Sequence, residues 1–369
     1  MKKKILHLCS ADKFISQFVE FNSENFSDCE HTYWIFGSYP GLENKEFKRV
    51  ARHNSNKCQQ CVFFWELICD LHSHEAVICH GLFGRKLIIL LYLLPWTCKK
   101  LAWAVWGGDL YSVNKKSETF FDKLLHYIKA KTIRRISYYL TYLDGDVEKI
   151  KEIFDGHSKW LKCFLYRSNI LQDHTDPQTK TSHKSQKDHI LRIQLGNSAD
   201  PSNLHIPIIK KLSDSFDCEY ELHVPLAYGN PKYRAEILLL GEELLGPKFR
   251  PQTTFVDYHL YLKSLRKIDI AIFNFDRQQG MGNIINLINY GAHVYLKAEQ
   301  SPYKYLRSIG ITVGAISSDF SSQNLRKLTD CEKLKNKKII QELHSENQLV
   351  EQWRNIYETI GEKNVESSI

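Results

Sequence analysis

Apolar residues fall in two rhythms along the chain. Short, nearly continuous runs at Lys4–Cys9, Thr32–Phe36, Ala76–Cys79 and Leu101–Val105 read as strands buried on both faces. Longer runs at helical spacing, Leu82–Leu94 and Thr119–Lys129, read as helices between or after them. Such alternation predicts parallel βαβ units. The pattern restarts with strands at Ile190–Leu195, Tyr220–Val224, Ile268–Asn274 and His293–Leu296, and helices at Asn203–Asp214, Lys232–Leu240, Asp257–Leu265 and Met281–Asn289. At the end, Leu343, Val350, Trp353, Ile356, Tyr357 and Ile360 recur near helical spacing, which predicts one amphipathic helix over Glu342–Ile360.

Between the two series, Asp173–Asp188 contains no large apolar residue, so it has nothing to bury and reads as an exposed connection. The expected organisation is a Rossmann-like domain over 1–172, a linker over 173–188, a second Rossmann-like domain over 189–341 and a closing helix over 342–369. The expected fold class is α/β: two doubly wound domains facing across a cleft. Strand C-terminal ends and helix N-termini would turn toward the gap, where open α/β sheets bind ligands.

The 369 residues are 43% hydrophobic and 25% charged, which excludes a disordered chain, a collagenous repeat and a many-span membrane protein. The longest apolar run, Leu87–Leu94, falls well short of the roughly 20 residues needed to cross a bilayer. It reads as a helix stopped by Pro95, either buried in a core or laid on lipid with Arg85, Lys86, Lys99 and Lys100 reaching head groups. Net charge is +8, and Lys115–Arg135 holds seven cations against two anions. A solvated helix face and a docking face for an anionic membrane or phosphate-bearing partner both fit that cluster.

Met-Lys-Lys-Lys is followed by only Ile5–Cys9 before polar residues intervene, shorter than the apolar core of about 7–15 residues in a secretory signal. The expectation is a cytosolic chain with reduced thiols, in which Cys69, Cys79 and Cys98 act as small buried hydrophobes. Cys58-Gln-Gln-Cys61 has metal-ligand spacing but no second pair to complete a zinc site.

Candidate chemistry lies at strand-to-helix junctions. In Asn274-Phe-Asp-Arg-Gln-Gln-Gly-Met-Gly-Asn283, Gly280 and Gly282 permit close backbone approach, and the helix that follows presents free N–H groups to an anion such as a diphosphate. A plain glycine turn fits the spacing too. Gly196-Asn-Ser-Ala-Asp-Pro-Ser-Asn203 offers a tight turn at Gly196, short polar groups at Asn197 and Ser198, and Asp200 with Pro201 as a helix start. In the first half, Trp106-Gly-Gly-Asp-Leu-Tyr111 and Cys79-His-Gly81 end strands with Asp109 and His80, either of which could take a proton from an attacking hydroxyl or serve as a structural residue. Asp144-Gly-Asp146 has a divalent-cation pattern, but Asp146 stands where a cap for a helix over Val147–Phe154 belongs.

Trp106-Gly-Gly-Asp-Leu-Tyr111, Gly196–Asn203 and Arg277-Gln-Gln-Gly-Met-Gly282, with His80-Gly81 and the region after Trp353 in similar order, make the chain resemble the TDP-N-acetylfucosamine:lipid II N-acetylfucosaminyltransferases. These form glycosyltransferase family 56 and act in enterobacterial common antigen synthesis. The resemblance implies a GT-B architecture, a nucleotide-sugar donor held mainly by the second domain, and a polyprenyl-diphosphate-linked glycan acceptor approaching the first. It also implies peripheral attachment to the cytoplasmic face of the inner membrane. On this reading Gly196, Asn197 and Ser198 contact a TDP-sugar, while Arg277, Gln278, Gln279, Gly280, Met281, Gly282 and Asn283 receive its diphosphate, and Asn286 reaches a ribose. Asp109, with His80 in reserve, serves as base or acceptor-positioning group, and Trp106 and Tyr111 stack on acceptor sugars. No metal, cofactor or nucleic acid is called for. Many retaining GT-B enzymes carry two glutamates eight positions apart around this glycine loop; here Gln278 and Asn286 stand there, both neutral. The rival readings are a nucleotide-sugar epimerase or hydrolase of the same shape and a non-catalytic binder of anionic membranes.

Overall fold

A computed structural model describes residues 2–37, 49–51, 57–111, 119–154, 158–171, 190–215, 219–276, 278–317, 320 and 325–361. The chain forms two compact units, one comprising Met1–Ser168 with Glu346–Ile369 and the other Asn169–Ser345. The predicted connection over 173–188 lies outside the described residues, as does Arg277.

The first unit runs β1 (Lys3–Ser10), α1 (Lys13–Asn25), β2 (Cys29–Phe36), β3 (Arg49–Ala51), α2 (Lys57–Ser73), β4 (Ala76–His80), α3 (Arg85–Leu93), β5 (Leu101–Ala104), α4 (Gly108–Tyr111), α5 (Phe120–Ile133), β6 (Tyr138–Thr141), α6 (Asp144–Phe154) and β7 (Lys159–Lys162). Its strands pair in parallel in the order β3-β2-β1-β4-β5-β6-β7. The order reverses between β1 and β4, the point where a doubly wound sheet opens a crevice at its strand ends. Both strands are buried along most of their length, consistent with helices covering both sheet faces.

The second unit repeats the plan with β8 (Leu191–Leu195), α7 (His205–Ser215), β9 (Tyr220–Pro225), α8 (Pro231–Leu245), β10 (Phe249–Gln252), α9 (Tyr258–Leu265), β11 (Ile270–Phe273), α10 (Met281–Asn289), β12 (His293–Lys297), α11 (Ser301–Ser308), β13 (Gly314–Ile316) and α12 (Asp330–Leu343). The order is β10-β9-β8-β11-β12-β13, again all parallel, with the reversal between β8 and β11.

Three expectations are corrected. The closing segment is two helices, α12 and α13 (Glu346–Thr359), broken at His344. That histidine is buried, with Nδ1 3.0 Å from the Asn169 carbonyl and Nε2 2.9 Å from the Tyr305 hydroxyl, and Leu343, assigned to the buried stripe, is exposed. Asp146 does not cap a helix starting at Val147; it lies inside the first turn of α6 and is buried. Cys69 is exposed, while Cys79 and Cys98 are buried; these and Cys9, Cys29, Cys163 and Cys331 are free thiols.

α13 packs Leu349, Trp353, Ile356 and Tyr357 onto the first unit. Trp353 is fully buried, its ring centroid 4.9 Å from that of Phe18, and its indole N–H donates to the Leu165 carbonyl at 2.9 Å. Leu165 holds a left-handed φ of 71°, which costs a non-glycine residue of order 1–2 kcal/mol unless its surroundings fix it. Trp353→Ala removes both the packing and that anchor. The expected loss is about 3–5 kcal/mol, read as a lower urea midpoint for the first unit.

Candidate active site

Gly196 opens the loop after β8 and Gly280 ends the loop after β11, the two central strands of the second sheet. Gly196 N–H donates to the Ile272 carbonyl at 2.9 Å, so the first loop is tied to the neighbouring strand as it leaves β8. Both glycines hold left-handed φ values, 66° and 68°. A Cβ on Gly196 would lie 2.5 Å from His205 Nε2 and 3.1 Å from Asn203 Oδ1; one on Gly280 would lie 3.1 to 3.3 Å from the three amide atoms of Asn197. The two loops and the start of α7 therefore close on one another, with glycine required by backbone angle and by space.

Several polar groups at this convergence are buried without a protein partner: Asn197 Oδ1, Asn203 Oδ1, His205 Nε2 and Gln279 Nε2. The His205 backbone N–H donates to the Tyr233 hydroxyl at 3.0 Å, and that hydroxyl lies 3.3 Å from Nδ1, so its own proton is free to bond Nδ1. The imidazole proton is then on Nε2, beside Gly196. Burial pushes the His205 pKa down to about 4, which keeps the ring neutral near pH 7. Gly280 caps α10 with no side-chain bond, leaving the first N–H groups of that helix and its positive dipole end for an anion.

The remaining predicted donor residues divide in two. Asn197 Nδ2 donates to the Tyr228 hydroxyl at 3.3 Å, and Gln279 Oε1 accepts from Ser202 Oγ at 3.4 Å. Gln278, Gly282 and Asn283 are partly exposed, and Met281 is buried. Ser198 and Asn286 are turned to structural duty: Ser198 accepts from Asn203 Nδ2 at 3.2 Å, and Asn286 Nδ2 donates to the Gly282 carbonyl at 2.8 Å. Asp200 accepts from Ser202 N at 2.9 Å and caps the turn that Pro201 begins. Sequence reasoning missed His205, Tyr228 and Tyr261, the last bonded to Gln194 and Asn283. His205 sits two residues past the Gly196–Asn203 block, where extending the motif by one turn would have found it.

In the first unit, Asp109 is buried and its carboxylate organises the loop over Trp106–Tyr111. It accepts from Leu82 N at 2.9 Å, Trp103 Nε1 at 2.6 Å, Trp106 N at 3.0 Å and Leu110 N at 2.9 Å, joining the ends of β4 and β5 to α4. Lys129 Nζ donates to the Asp109 carbonyl at 2.7 Å, and burial lowers the pKa of that ammonium. Trp103 belongs to the core, whereas Trp106 is partly exposed with Phe83 edge-on at 5.7 Å. The Tyr111 hydroxyl donates to Asp146 at 3.1 Å, and Lys149 Nζ stands 3.9 Å from the ring centroid. Asp146 thus meets Tyr111 and Thr141, and among the described residues no group of three or more His, Cys, Asp or Glu is placed to hold a metal ion.

His80 lies in a buried relay. Trp106 Nε1 donates to the Tyr166 hydroxyl at 2.8 Å, which lies 2.6 Å from His80 Nδ1; His80 Nε2 is 3.2 Å from His7 Nδ1, and His7 Nε2 is 2.9 Å from His31 Nδ1. The indole can only donate, so neutral groups order every proton from Trp106 toward His31. Burial pushes the His80 pKa down to about 3 and that of His31 to about 4; burial and the neighbouring imidazoles hold His7 well below its usual value. Below pH about 6.5 the unfolded chain takes up protons that the native state refuses. Stability contributed by these neutral rings is thus complete above that pH and is lost as pH falls toward the folded values. Chemical denaturation at pH 7.5 and 5.0 is expected to show a large drop, approaching about 1.4 kcal/mol per pH unit for each histidine. His80→Gln is expected to flatten the slope.

The sequence profile of the family described as 4-alpha-L-fucosyltransferase, glycosyl transferase group 56, matches residues 60–360. Among solved structures, sucrose-phosphate synthase from Thermosynechococcus elongatus superposes with a TM-score of 0.65 at 10% identity, over 96% of this chain and 98% of that one. The lipopolysaccharide outer core galactosyltransferase WaaB gives 0.61 at 13% identity, over 96% and 98%. HepE of Anabaena, in complex with UDP and glucose, gives 0.59 at 10% identity, over 97% and 94%. At such identities the likeness bears on the fold, which is GT-B with two Rossmann-like sheets. The profile match spans most of the chain, which therefore belongs to the 4-alpha-L-fucosyltransferase family, glycosyltransferase group 56, and is a glycosyltransferase.

Proposed function

We propose that the protein transfers an N-acetylfucosamine-like amino-deoxy sugar from a TDP-sugar to a hydroxyl of a polyprenyl-diphosphate-linked glycan. It acts while attached peripherally to the cytoplasmic face of the inner membrane, in bacterial surface polysaccharide synthesis. The observation that carries this reading is the uncapped start of α10, with the unpartnered donors Gln279 Nε2 and His205 Nε2 on the loops that close on one another beside it. Donors placed there meet the charge that grows on the leaving diphosphate as the anomeric C–O bond breaks. The sequence leading to α10 also carries one cation, Arg277, just before Gln278. The UDP and glucose held by HepE support a nucleotide-sugar donor in this fold. Among the described residues no helix is long and apolar enough to cross a membrane, which fits peripheral attachment.

The new bond forms between the acceptor oxygen and the anomeric carbon as the bond to the diphosphate breaks, and the acceptor hydroxyl gives its proton to the departing diphosphate oxygen. Asp109 and His80 act as positioning residues. The Asp109 carboxylate is engaged by four donors that shape the Trp106–Tyr111 loop, and His80 orients Trp106 through Tyr166. Trp106 then offers the aromatic surface to an acceptor sugar.

A ligand that binds only the folded state raises its melting temperature. Thymidine diphosphate is expected to raise Tm more than uridine or guanosine diphosphate, and Asn197→Ala and Gly280→Ala are each expected to remove most of that shift. Equal shifts for all three nucleotides would overturn the TDP assignment, and no shift at all would overturn the donor site. Sugar release from a labelled TDP-sugar without any lipid-linked acceptor would point instead to a hydrolase or epimerase.

A further inference from the structure

The strongest feature left unused is the outer face of α5 and the adjoining α3, which pack together in the first unit. α5 starts in an ordered way: Thr119 caps it, accepting from Asp122 N. Yet the residues that follow leave Phe120 82%, Phe121 52%, Leu124 43% and Tyr127 55% exposed. Positions 120, 124 and 127 share one helical stripe, with Phe121 beside it. Phe83 and Leu93, flanking α3 and on it, are exposed as well. Monomeric proteins seldom leave such a cluster to water.

Cations surround the stripe. Arg85 stands 5.6 Å from the Phe121 ring centroid, Lys131 5.6 Å from that of Tyr127, and Arg135 5.2 Å from that of Tyr92. From 81 to 108 the chain has Arg85, Lys86, Lys99 and Lys100 and no acidic residue. From 119 to 135, apart from the inward-turned Lys129, the chain has Lys123, Lys131, Arg134 and Arg135 against the single acid Asp122, which lies 3.6 Å from Arg85. A second copy of this chain would bring the same cations against themselves in a two-fold interface, which is unfavourable. An anionic surface with an apolar interior fits both halves of the patch: aromatic rings enter at head-group depth while the long basic side chains reach the phosphates.

We propose that the exposed stripe of α5, Phe120, Phe121, Leu124 and Tyr127 with the cations of α3 and α5 around it, is the surface by which this enzyme docks on anionic phospholipid. The proposal rests on the membrane-attached reading above and assigns it a place. The opposite face of the same helix holds the acceptor loop, because Lys129 donates to the Asp109 carbonyl. Phe83 joins the two from the α3 side by its edge contact with Trp106.

The test is co-sedimentation of the full chain with vesicles of phosphatidylcholine alone and of phosphatidylcholine mixed with phosphatidylglycerol. Wild type is expected to bind the mixed vesicles, less so as salt rises, and to leave the neutral ones. The variant F120S/F121S/L124S is expected to bind more than about tenfold more weakly, as is K86E/K123E, with the thymidine diphosphate shift unchanged in both. Leu239→Ser, at an exposed leucine of the second unit, is expected to leave vesicle binding intact. If F120S/F121S/L124S binds like wild type, the surface assignment falls while membrane attachment stands. If wild type binds neither vesicle, both fall, and the nucleotide shift still reports on the donor site. A dimer that this variant abolishes, with vesicle binding unaffected, would make the face an interface between copies and overturn the proposal.

Discussion

The second unit is built around the place where β8 and β11 lie side by side and their exits diverge. One backbone bond, from Gly196 N–H to the Ile272 carbonyl, binds the first loop to the strand beside it. The left-handed turns at Gly196 and Gly280 bring His205, Asn203 and Asn197 into space that any side chain at those glycines would occupy. That closeness leaves polar atoms buried and unpaired, each costing about 1–3 kcal/mol without a partner. On the proposed reading a ligand supplies the missing bonds, a diphosphate accepting from His205 Nε2, Gln279 Nε2 and the helix start, and hydroxyl groups of the nucleotide-sugar donating to the amide oxygens of Asn197 and Asn203.

The first unit follows the same topology and fills the equivalent place differently. Its central strands β1 and β4 carry His7 and His80, whose rings meet at the strand ends and continue through Tyr166 to Trp106. Asp109 accepts four hydrogen bonds in the adjacent loop. Side chains bonded to one another at this switch point tie the outer loop to the central strands. The two units thus differ: one leaves buried polar atoms without protein partners, and the other bonds its switch-point side chains to one another.

The strands nearest the centre of each sheet were legible because burial on both faces turns them into apolar runs. β3, β7, β10 and β13 were not, because they lie at or beside sheet edges, are three or four residues long, and carry polar or exposed residues. β10 contains Pro251, which counts against a strand in general and is tolerated on an edge where its missing N–H faces no partner. β6 was hidden by tyrosines, and α1 by alternating polar residues between Phe14, Phe18 and Phe21. The glycine-rich junctions pointed to the two loops of the second unit that close on one another. They could not reveal that Asp109 is enclosed by four donors or that His80 is one link in a chain of imidazoles, since those facts depend on Leu82, Trp103, His7 and Tyr166, residues brought together only by the sheet.

On the proposed function, a lipid-linked acceptor would constrain the enzyme through helix α5. A polyprenyl tail stays in the bilayer, so the diphosphate and first sugars it carries remain near head-group level. An enzyme that acts on them must hold its acceptor loop within reach of that plane. The thickness of one helix with side chains, about 10 Å, separates the exposed stripe of α5 from the Asp109 carbonyl that Lys129 grips on its inner side. On that proposal the apolar and basic outer face and the buried lysine are parts of one arrangement: the helix proposed to meet the lipid is also bonded, through Lys129, to the loop that carries Trp106 and Asp109. A lysine buried at this point loses hydration, as its lowered pKa reflects, and its bond to the loop carbonyl offsets part of that loss. The cost is understandable where the distance between loop and membrane must be fixed by a rigid element.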